Sequence, residues 1–201
     1  TEDEITVSAT EATQQYQKGD KVSLDEYYKQ IIGTNLTELP EVNANYLKSV
    51  YPTSMKNFLN FDEWSPFSQI TIDLRELDTR YCTNLENAFY GYTSLETYHR
   101  VDAANILGIE SFNVSNVTNF NSALEPEMYY KSDKNLDLSK WDVRNGISFE
   151  NFIGGVDTLD ISSFGENTKL NTGVISLGVR VINNLIIDGK YISRLDARFV
   201  T

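Results

Sequence analysis

The sequence is poor in the residues that usually build reactive or cross-linked sites. It has one cysteine, Cys82, and one histidine, His99, in 201 residues. A single cysteine excludes an internal disulfide, so the cysteine content does not identify a redox compartment. A catalytic or metal-binding histidine needs partners, and Cys82 with His99 is the one Cys–His pair that can be drawn. The simpler interpretation of Cys82 is a small inward-facing hydrophobe, because it aligns with Val117 in the repeat described below.

Positive charge and long apolar runs are also scarce. The formal net charge is −12, with 17 Lys and Arg against 29 Asp and Glu. Nucleic-acid binding requires a basic face that neutralises phosphates, and docking on an anionic bilayer also relies on positive charge. No apolar run approaches the roughly 20 residues that cross a bilayer. We therefore expect no nucleic-acid partner and no membrane insertion.

A pattern that changes period organises the chain around residues 136–155. Its first half alternates apolar and polar residues, as a short half-buried strand does. Its second half places Phe149, Phe152 and Ile153 at positions i, i+3 and i+4, which is typical of one helical turn. A unit this small cannot bury its own apolar face and needs a copy on each side. The pattern therefore predicts stacked units, each with a strand and a helical turn.

Copies of this unit occur along the chain, with irregular spacing. Six apolar positions agree in three units: Ile72, Leu74, Leu77, Leu85, Ala88 and Phe89; Leu107, Ile109, Phe112, Phe120, Ala123 and Leu124; and Leu136, Leu138, Trp141, Phe149, Phe152 and Ile153. The strand half returns in a fourth unit at Leu159, Ile161 and Phe164. The position shared by Leu77, Phe112, Trp141 and Phe164 is expected in the core, because every unit keeps it apolar.

The first 57 residues do not follow this pattern and favour helices. Ser23 and Glu26 have the spacing of a capping box, which predicts a helix carrying Leu24, Tyr27, Tyr28, Ile31 and Ile32. Pro40 suits the first turn of a second helix with Val42, Leu47 and Val50 inside it, ending before Pro52. We expect residues 1–57 to form a helical N-terminal cap or attachment region. Residues 58–201 form the repeat and end in irregular β-structure, where Ile175, Leu177, Val179 and Val181 alternate.

The repeat resembles a known family. LDLSKWDV followed by SFENFIGG, SFNVSNVTNF, and IDLRELDT followed by TNLENAFYGYTSL are similar to the BspA-type leucine-rich repeats of bacterial surface proteins. The resemblance covers about residues 70–165 and departs from the family pattern at Gly146, Ile147 and Tyr92. It implies an α/β repeat: a short, irregular leucine-rich-repeat solenoid of parallel strands and helical turns. It also implies a surface-exposed recognition or adhesion protein without a catalytic site.

Two groups of residues are candidates for partner binding. Asp73, Asp137 and Asp160 each lie between two inward apolar residues of a strand, and Gly108 takes that place in the second unit. In stacked parallel strands, such carboxylates on neighbouring strands would lie about 4.8 Å apart, which suits a cationic partner or Ca²⁺. The simpler interpretation is that each carboxylate bonds the backbone of a neighbouring turn. Tyr129 and Tyr130, in an insertion, are the second group.

These observations predict a non-enzymatic surface recognition or adhesion module that binds a protein or glycan at the cell surface. The alternative is a virion or appendage structural protein that uses the repeat for assembly or host attachment, with neighbouring subunits as partners. We expect no catalytic residues, no metal and no cofactor. A hydrolase would need converging acids in a concave site, with one pKa shifted.

Overall fold

The computed structural model describes residues 17–30, 41–60, 72–90, 106–125, 135–166, 175–177, 182–188 and 195–196. One α-helix and nine short strands lie in these ranges. They are β1 (Lys21–Ser23), α1 (Glu41–Ser49), β2 (Tyr51–Ser54), β3 (Ile72–Asp73), β4 (Ile106–Leu107), β5 (Asn135–Asp137), β6 (Thr158–Asp160), β7 (Ile175–Ser176), β8 (Asn184–Ile186) and β9 (Leu195–Asp196). Short 3₁₀ helices cover Tyr27–Gln30, Ile109–Ser111 and Ser162–Glu166. Within these residues, no helix is long and apolar enough to cross a membrane.

The described strands pair only in parallel. β1 pairs with β2, β3 with β4, and β7 with β9, while β5, β6 and β8 form a three-stranded sheet in that order. Parallel neighbours cannot be joined by a tight hairpin, so each strand is separated from its partner by a longer stretch of chain. The connection between β1 and β2 includes α1.

A row of tight turns runs beside these strands, and we call it the turn column. Each turn contains one non-glycine residue in the left-handed region, and these residues are Glu26, Asn57, Asn87, Ser122 and Asn151, with φ of 55°, 53°, 53°, 51° and 50°. Backbone bonds join successive turns: the Asn57 N–H donates to the Glu86 carbonyl at 2.9 Å, and the Asn87 N–H donates to the Asn121 carbonyl at 2.9 Å. Isolated parallel bridges pair residue 84 with 119 and residue 119 with 148. These are positions that the sequence repeat aligns.

The prediction of a helical turn in each unit is wrong. Residues 85–89, 120–124 and 149–153 form turns of the turn column instead. In the first of them the Ala88 N–H donates to the Leu85 carbonyl at 3.0 Å, while the Phe89 N–H crosses to the Ala123 carbonyl at 2.9 Å. The left-handed residue before Ala88 interrupts the helix and frees alternate N–H groups for the next unit. Leu85, Ala88 and Phe89 are still buried, so the apolar spacing is satisfied by a different backbone.

Polar contacts at these turns also differ from helix capping. Thr83 and Glu86 have the spacing of a capping box, but the Thr83 hydroxyl donates to the Thr53 carbonyl of the preceding unit at 3.0 Å. The Thr118 hydroxyl donates in the same way to the Thr83 carbonyl at 3.2 Å. The Glu86 N–H is bound by Asn84 Oδ1 at 2.9 Å. Side chains that resemble caps in the sequence therefore connect neighbouring units.

The turn column extends into the N-terminal part of the chain. Its first two turns bury Leu24, Tyr27, Tyr28, Met55, Phe58 and Leu59. The helix predicted from Ser23 is wrong for the described residues up to position 30, because β1, a turn and a 3₁₀ helix occupy them. Ser23 Oγ accepts the Asp25 N–H at 3.2 Å and stabilises that turn. The predicted Ile31 and Ile32 lie outside the described residues.

The second predicted helix is present as α1. Leu47 and Val50 are buried, as expected, whereas Val42 is 37% exposed. Backbone bonds continue across the expected boundary after residue 57, since the Leu59 N–H donates to the Ala88 carbonyl at 2.8 Å. Ile175 and Leu177 are buried as their alternation predicts. Val179 and Val181 lie outside the described residues.

Strand register in the second unit differs from the alignment. β3 and β4 pair Ile72 with Ile106 and Asp73 with Leu107. Ile106 is therefore the inward counterpart of Ile72, and it is 6% exposed. The expectation that Gly108 takes the place of Asp73 is wrong, because Leu107 occupies it.

Gly108 is an additional residue that this unit has to accommodate. The Phe112 N–H donates to the Ile109 carbonyl at 3.2 Å, and the Leu77 N–H donates to the Leu74 carbonyl at 3.0 Å, so Ile109 and Leu74 stay equivalent. The extra residue adopts φ 101°, a conformation that glycine enters without steric cost. Register lost before Gly108 is thereby recovered one residue later.

The core is one cluster of buried apolar side chains, contributed by the strands and by the turn column. The shared position is buried in all four units, so its predicted core role is confirmed; it is held by Leu77, Phe112, Trp141 and Phe164. Aromatic rings stack between successive units: the ring centroids of Phe120 and Phe149 are 4.5 Å apart. Trp141 Nε1 donates to the buried Ile109 carbonyl at 3.2 Å, so the indole satisfies a polar group of the preceding unit.

Candidate functional site

The three aspartates do not form one described ladder. Asp137 and Asp160 are direct neighbours on β5 and β6. Asp73 lies on β3 beside Leu107 of β4. Asp160 is followed in its sheet by Ile186 of β8, so the row of carboxylates ends after two residues there.

Each of these carboxylates bonds the turn that follows its strand. The Oδ1 atoms of Asp73, Asp137 and Asp160 accept the N–H of the residue two positions on, at 3.0, 2.9 and 2.9 Å. Arg75 also folds back onto Asp73, with Nη2 2.6 Å from Oδ2. Hydrogen bonds from the Arg75 side chain and backbone hold the pKa of Asp73 at about 2. These geometries match the simpler interpretation, in which the aspartates stabilise turns.

Metal-ligating and nucleophilic groups are dispersed within the part of the chain that the structure describes. No three His, Cys, Asp or Glu side chains there lie close enough to hold a metal ion. Cys82 is fully buried, and burial raises the pKa of its thiol to about 12, so it is protonated and shielded. His99, Tyr129 and Tyr130 lie outside the described residues.

A surface patch that the sequence analysis did not single out combines two tyrosines with two cations. We call Lys21, Tyr51, Tyr81 and Arg80 the tyrosine–cation patch. The rings of Tyr51 and Tyr81 meet edge to face, with centroids 5.5 Å apart. The Lys21 Nζ lies 3.8 Å from the Tyr81 ring centroid, and the Arg80 guanidinium lies 5.7 Å from the Tyr51 centroid. Tyr81 is 39% exposed, so the patch has an accessible aromatic surface.

The two cations differ in their carboxylate partners. Arg80 is paired with Asp78, with Nη2 2.6 Å from Oδ2. That pairing, with its hydrogen bonds, lowers the pKa of Asp78. The Lys21 ammonium contacts the Tyr81 ring and has no carboxylate within salt-bridge distance among the described residues. Cation–π contacts at exposed sites contribute about 0.5–1 kcal/mol, so Lys21 keeps most of its capacity to pair with an incoming acceptor.

Later units carry asparagine at the position that Tyr81 holds in this patch. Lys21 pairs with Tyr51 on β1 and β2, and repeat spacing places Tyr81, Asn116 and Asn145 at the same position. The last two side chains bond the preceding unit: Asn116 Nδ2 donates to the Arg80 carbonyl at 2.7 Å, and Asn145 Nδ2 donates to the Ser115 carbonyl at 2.6 Å. Asparagine therefore serves the fold at this position, whereas the earlier units present larger side chains to solvent.

The sequence does contain a signal for this patch. Once Thr83 is aligned with Thr118, Tyr81 falls on Asn116 of the following unit. A tyrosine in place of a small amide that bonds the preceding unit is a departure that packing does not require. The sequence does not align Tyr51 with Tyr81 as readily, because α1 separates the first two units and interrupts the repeat.

Comparison with protein-family models, with curated proteins and with solved structures found no match for this chain.

Proposed function

We propose that this chain is a non-enzymatic recognition module of the cell surface, in which stacked repeat units carry the tyrosine–cation patch towards a macromolecular partner. The observation that carries the proposal is the exposed tyrosine pair flanked by Lys21 and Arg80. Tyrosine and arginine are enriched at protein interfaces because they combine apolar area with hydrogen-bonding groups. The resemblance to leucine-rich repeats of surface proteins supports the same function.

Rigidity of the patch supports this function further. Lys21 and Tyr51 lie on paired strands. The residues beside Tyr81 are bonded to both neighbouring units, since the Thr83 N–H donates to the Thr53 carbonyl at 3.0 Å and the Arg80 carbonyl accepts Asn116 Nδ2 at 2.7 Å. A partner would therefore meet side chains whose backbone is already ordered. Less conformational entropy is lost on binding to such a surface than on binding to a loose loop.

The alternative is a virion or appendage protein in which the repeat serves assembly. The N-terminal helix distinguishes the two, since a helix that grips a neighbouring subunit would favour assembly. Here α1 packs on its own chain: Asn43 Nδ2 donates to the Tyr27 hydroxyl at 2.9 Å, and the rings of Tyr46 and Tyr27 stack at 6.0 Å. This packing is what a cap over the first unit would require, and it favours the recognition module.

Binding of the purified chain to a glycan array and to immobilised cell-surface proteins tests the proposal. The informative variant is Tyr81→Asn, because the substituted side chain matches Asn116 and can bond the preceding unit. We expect it to melt like the wild type while losing at least about tenfold in affinity, the scale of a tyrosine hot spot. The control is Ile147→Thr, at a position 37% exposed elsewhere on the surface.

Two results would contradict the proposal. Equal binding by the wild type and the Tyr81→Asn variant would remove the patch from recognition. Absence of binding to every surface component, together with ordered self-assembly of the wild type, would favour the structural alternative.

A further inference from the structure

The unit that contains β4 carries two triplets of the form Asn-x-Ser/Thr directly after one another. They are residues 113–115 (Asn-Val-Ser) and 116–118 (Asn-Val-Thr), and both match the sequence that accepts an N-linked glycan. The triplet alone does not make a site, because an asparagine whose amide serves the fold matches it equally well. The side-chain contacts decide which of the two amides can carry a glycan.

The amide nitrogen of Asn116 is engaged in the fold. It donates to the Arg80 carbonyl of the preceding unit at 2.7 Å. Attachment of a glycan replaces one of the two Nδ2 hydrogens and places a bulky group against that unit. Asn116 therefore cannot carry a glycan while its bond to Arg80 is kept.

The amide of Asn113 is held by its oxygen instead. Asn113 Oδ1 accepts the Ser115 N–H at 3.1 Å and the Ser115 hydroxyl at 2.7 Å. Asn113 is exposed, and its Nδ2 has no hydrogen-bond acceptor within the part of the chain that the structure describes. Both hydrogens of this nitrogen are therefore available, and one can be replaced without loss of a contact of the fold.

The backbone around Asn113 is ordered by the core and by the preceding unit. The Asn113 carbonyl accepts the Thr79 hydroxyl at 3.1 Å. The Val117 N–H donates to the Val114 carbonyl at 2.9 Å, and both of these valines are buried. The amide nitrogen of Asn113 therefore lies at a defined place on the surface.

Equivalent positions in other units show that the turn does not require asparagine. Repeat spacing aligns Asn113 with Asp78 and Asp142. The Oδ1 atom of each aspartate accepts the N–H of the arginine two positions on, Arg80 or Arg144, at 3.2 Å. Each arginine also folds back onto its aspartate, with Nη2 2.6 or 2.7 Å from Oδ2. The change from Asp-x-Arg to Asn-x-Ser keeps the turn, removes the ion pair and adds an amide nitrogen.

We propose that Asn113 is an N-glycosylation site and that Asn116 stays unmodified. In the transfer, Asn113 Nδ2 forms a bond to the anomeric carbon of a glycan carried on a lipid diphosphate. The bond from that carbon to the diphosphate oxygen breaks, the lipid diphosphate leaves with the electron pair, and one Nδ2 proton passes to a base of the transferase. The inference rests on the cell-surface location in the proposed function, because such glycans are attached to secreted proteins.

Secretion of the complete chain from cultured eukaryotic cells, behind a cleavable signal, tests the proposal. Enzymatic release of N-glycans in heavy-oxygen water labels each asparagine that carried one, and peptide mass spectrometry locates the label. We expect label at Asn113 and none above background at Asn116. The readout is specific for each site, so a glycan at the third triplet, residues 35–37 outside the described ranges, does not affect the result.

The hydroxyl of Ser115 provides the first pair of variants. Ser115→Ala removes the third residue of the triplet and should abolish the label at Asn113, while the triplet of Asn116 is left intact. Ser115→Thr keeps a hydroxyl at this position and should retain the label. The second variant separates loss of the acceptor site from a folding defect.

The unit that contains β5 provides a matched gain of function. The double variant Asp142→Asn/Arg144→Ser builds the triplet at the position equivalent to Asn113 and should place label on residue 142. Ile147→Thr builds a triplet three residues further on, at Asn145, whose Nδ2 donates to the Ser115 carbonyl at 2.6 Å. We expect no label at Asn145 in that variant.

Four results would overturn the proposal. They are absence of label at Asn113, label at Asn116 equal to or above that at Asn113, absence of label at residue 142 in the secreted double variant, and label at Asn145 in Ile147→Thr. Partner binding through the tyrosine–cation patch is measured on chain made in bacteria that attach no N-glycans. Failure of the recognition proposal would therefore be seen separately from failure of this one.

Discussion

Gly108 offers a sharp test of how neighbouring units fit together. A Cβ atom at this position would lie 2.6 Å from the Arg75 backbone nitrogen and 2.8 Å from the Arg75 Cα and the Leu74 carbonyl carbon. These are backbone atoms of the preceding unit, so they cannot rotate away as a side-chain tip could. Gly108→Ala must therefore move one strand relative to the next or lose the β3–β4 pairing.

The cost of this substitution has two parts. The φ of 101° is unfavourable for any residue with a Cβ, by about 1–2 kcal/mol. Overpacking against atoms that cannot yield adds about 1–3 kcal/mol. We expect Gly108→Ala to lower the free energy of unfolding by about 2–5 kcal/mol, and each kcal/mol should lower Tm by about 2–4 °C for a chain of this size.

Gly19 supplies the matched control. It has a similar φ of 93°, but a Cβ there would meet only Tyr51 Cε2, at 3.8 Å, which is an ordinary contact. Gly19→Ala should therefore lose the conformational part alone, about 1–2 kcal/mol. Urea unfolding of both variants, followed by far-UV circular dichroism, measures the difference. Equal losses in the two variants would refute the close approach of Gly108 to the preceding unit.

Two further predictions concern titratable groups. The pKa of Asp73 is lowered to about 2 in the folded chain, below its unfolded value of about 3.9, so its contribution to stability is complete above about pH 4 and is lost as pH falls towards 2. In urea titrations, the Asp73→Asn variant should therefore be less stable than the wild type at pH 7 but not at pH 2. The loss at pH 7 should be less than about 1 kcal/mol, because the pair with Arg75 is exposed. An equally large loss at pH 2 would contradict this prediction. The Cys82 thiol, with its pKa raised to about 12 by burial, should react with a disulfide reagent at pH 8 only after unfolding, and rapid labelling of the folded chain would show that the site opens.

The repeat illustrates what apolar spacing can and cannot predict. Positions such as Leu85, Phe120 and Phe149 are equivalent in the structure as in the alignment. The same spacing also predicts a helical turn, because a helix and a turn with one left-handed residue both bring residues i, i+3 and i+4 to one side. Asn87 and Asn151 are the local signal for the turn, since asparagine enters the left-handed region more readily than most residues.

The first turn near the N-terminus has the same ambiguity in its sequence. Ser23 and Glu26 have the spacing of a capping box, yet Glu26 is the left-handed residue of the first turn. Sequence alone could not choose between these structures, because both begin with a small polar residue ahead of an apolar group. The bonds that decide between them run from the Glu26 and Tyr28 N–H groups to carbonyls of the next unit, at 2.9 Å each.

The candidate site depended even more on contacts between units. The sequence indicates the placement of the aspartates between inward apolar residues and their bonds to the turns that follow, but it does not indicate that Leu107 lies beside Asp73 or that Ile186 lies beside Asp160. The tyrosine–cation patch needs Lys21, Tyr51 and Tyr81 from three units, separated by the length of α1 and a whole repeat. The local spacing of residues does not predict that these side chains are in contact.

The amino-acid sequence by itself determined which side chains leave water, because apolar period is a property of neighbouring residues along the chain. It also determined the net charge and the scarcity of cysteine and histidine, which disfavour several classes of function. Only the tertiary structure decided the backbone at the turns, the register at Gly108 and the surface formed by Tyr51 and Tyr81. These depend on hydrogen bonds and close approaches between residues about thirty positions apart, whose partners a local pattern does not specify.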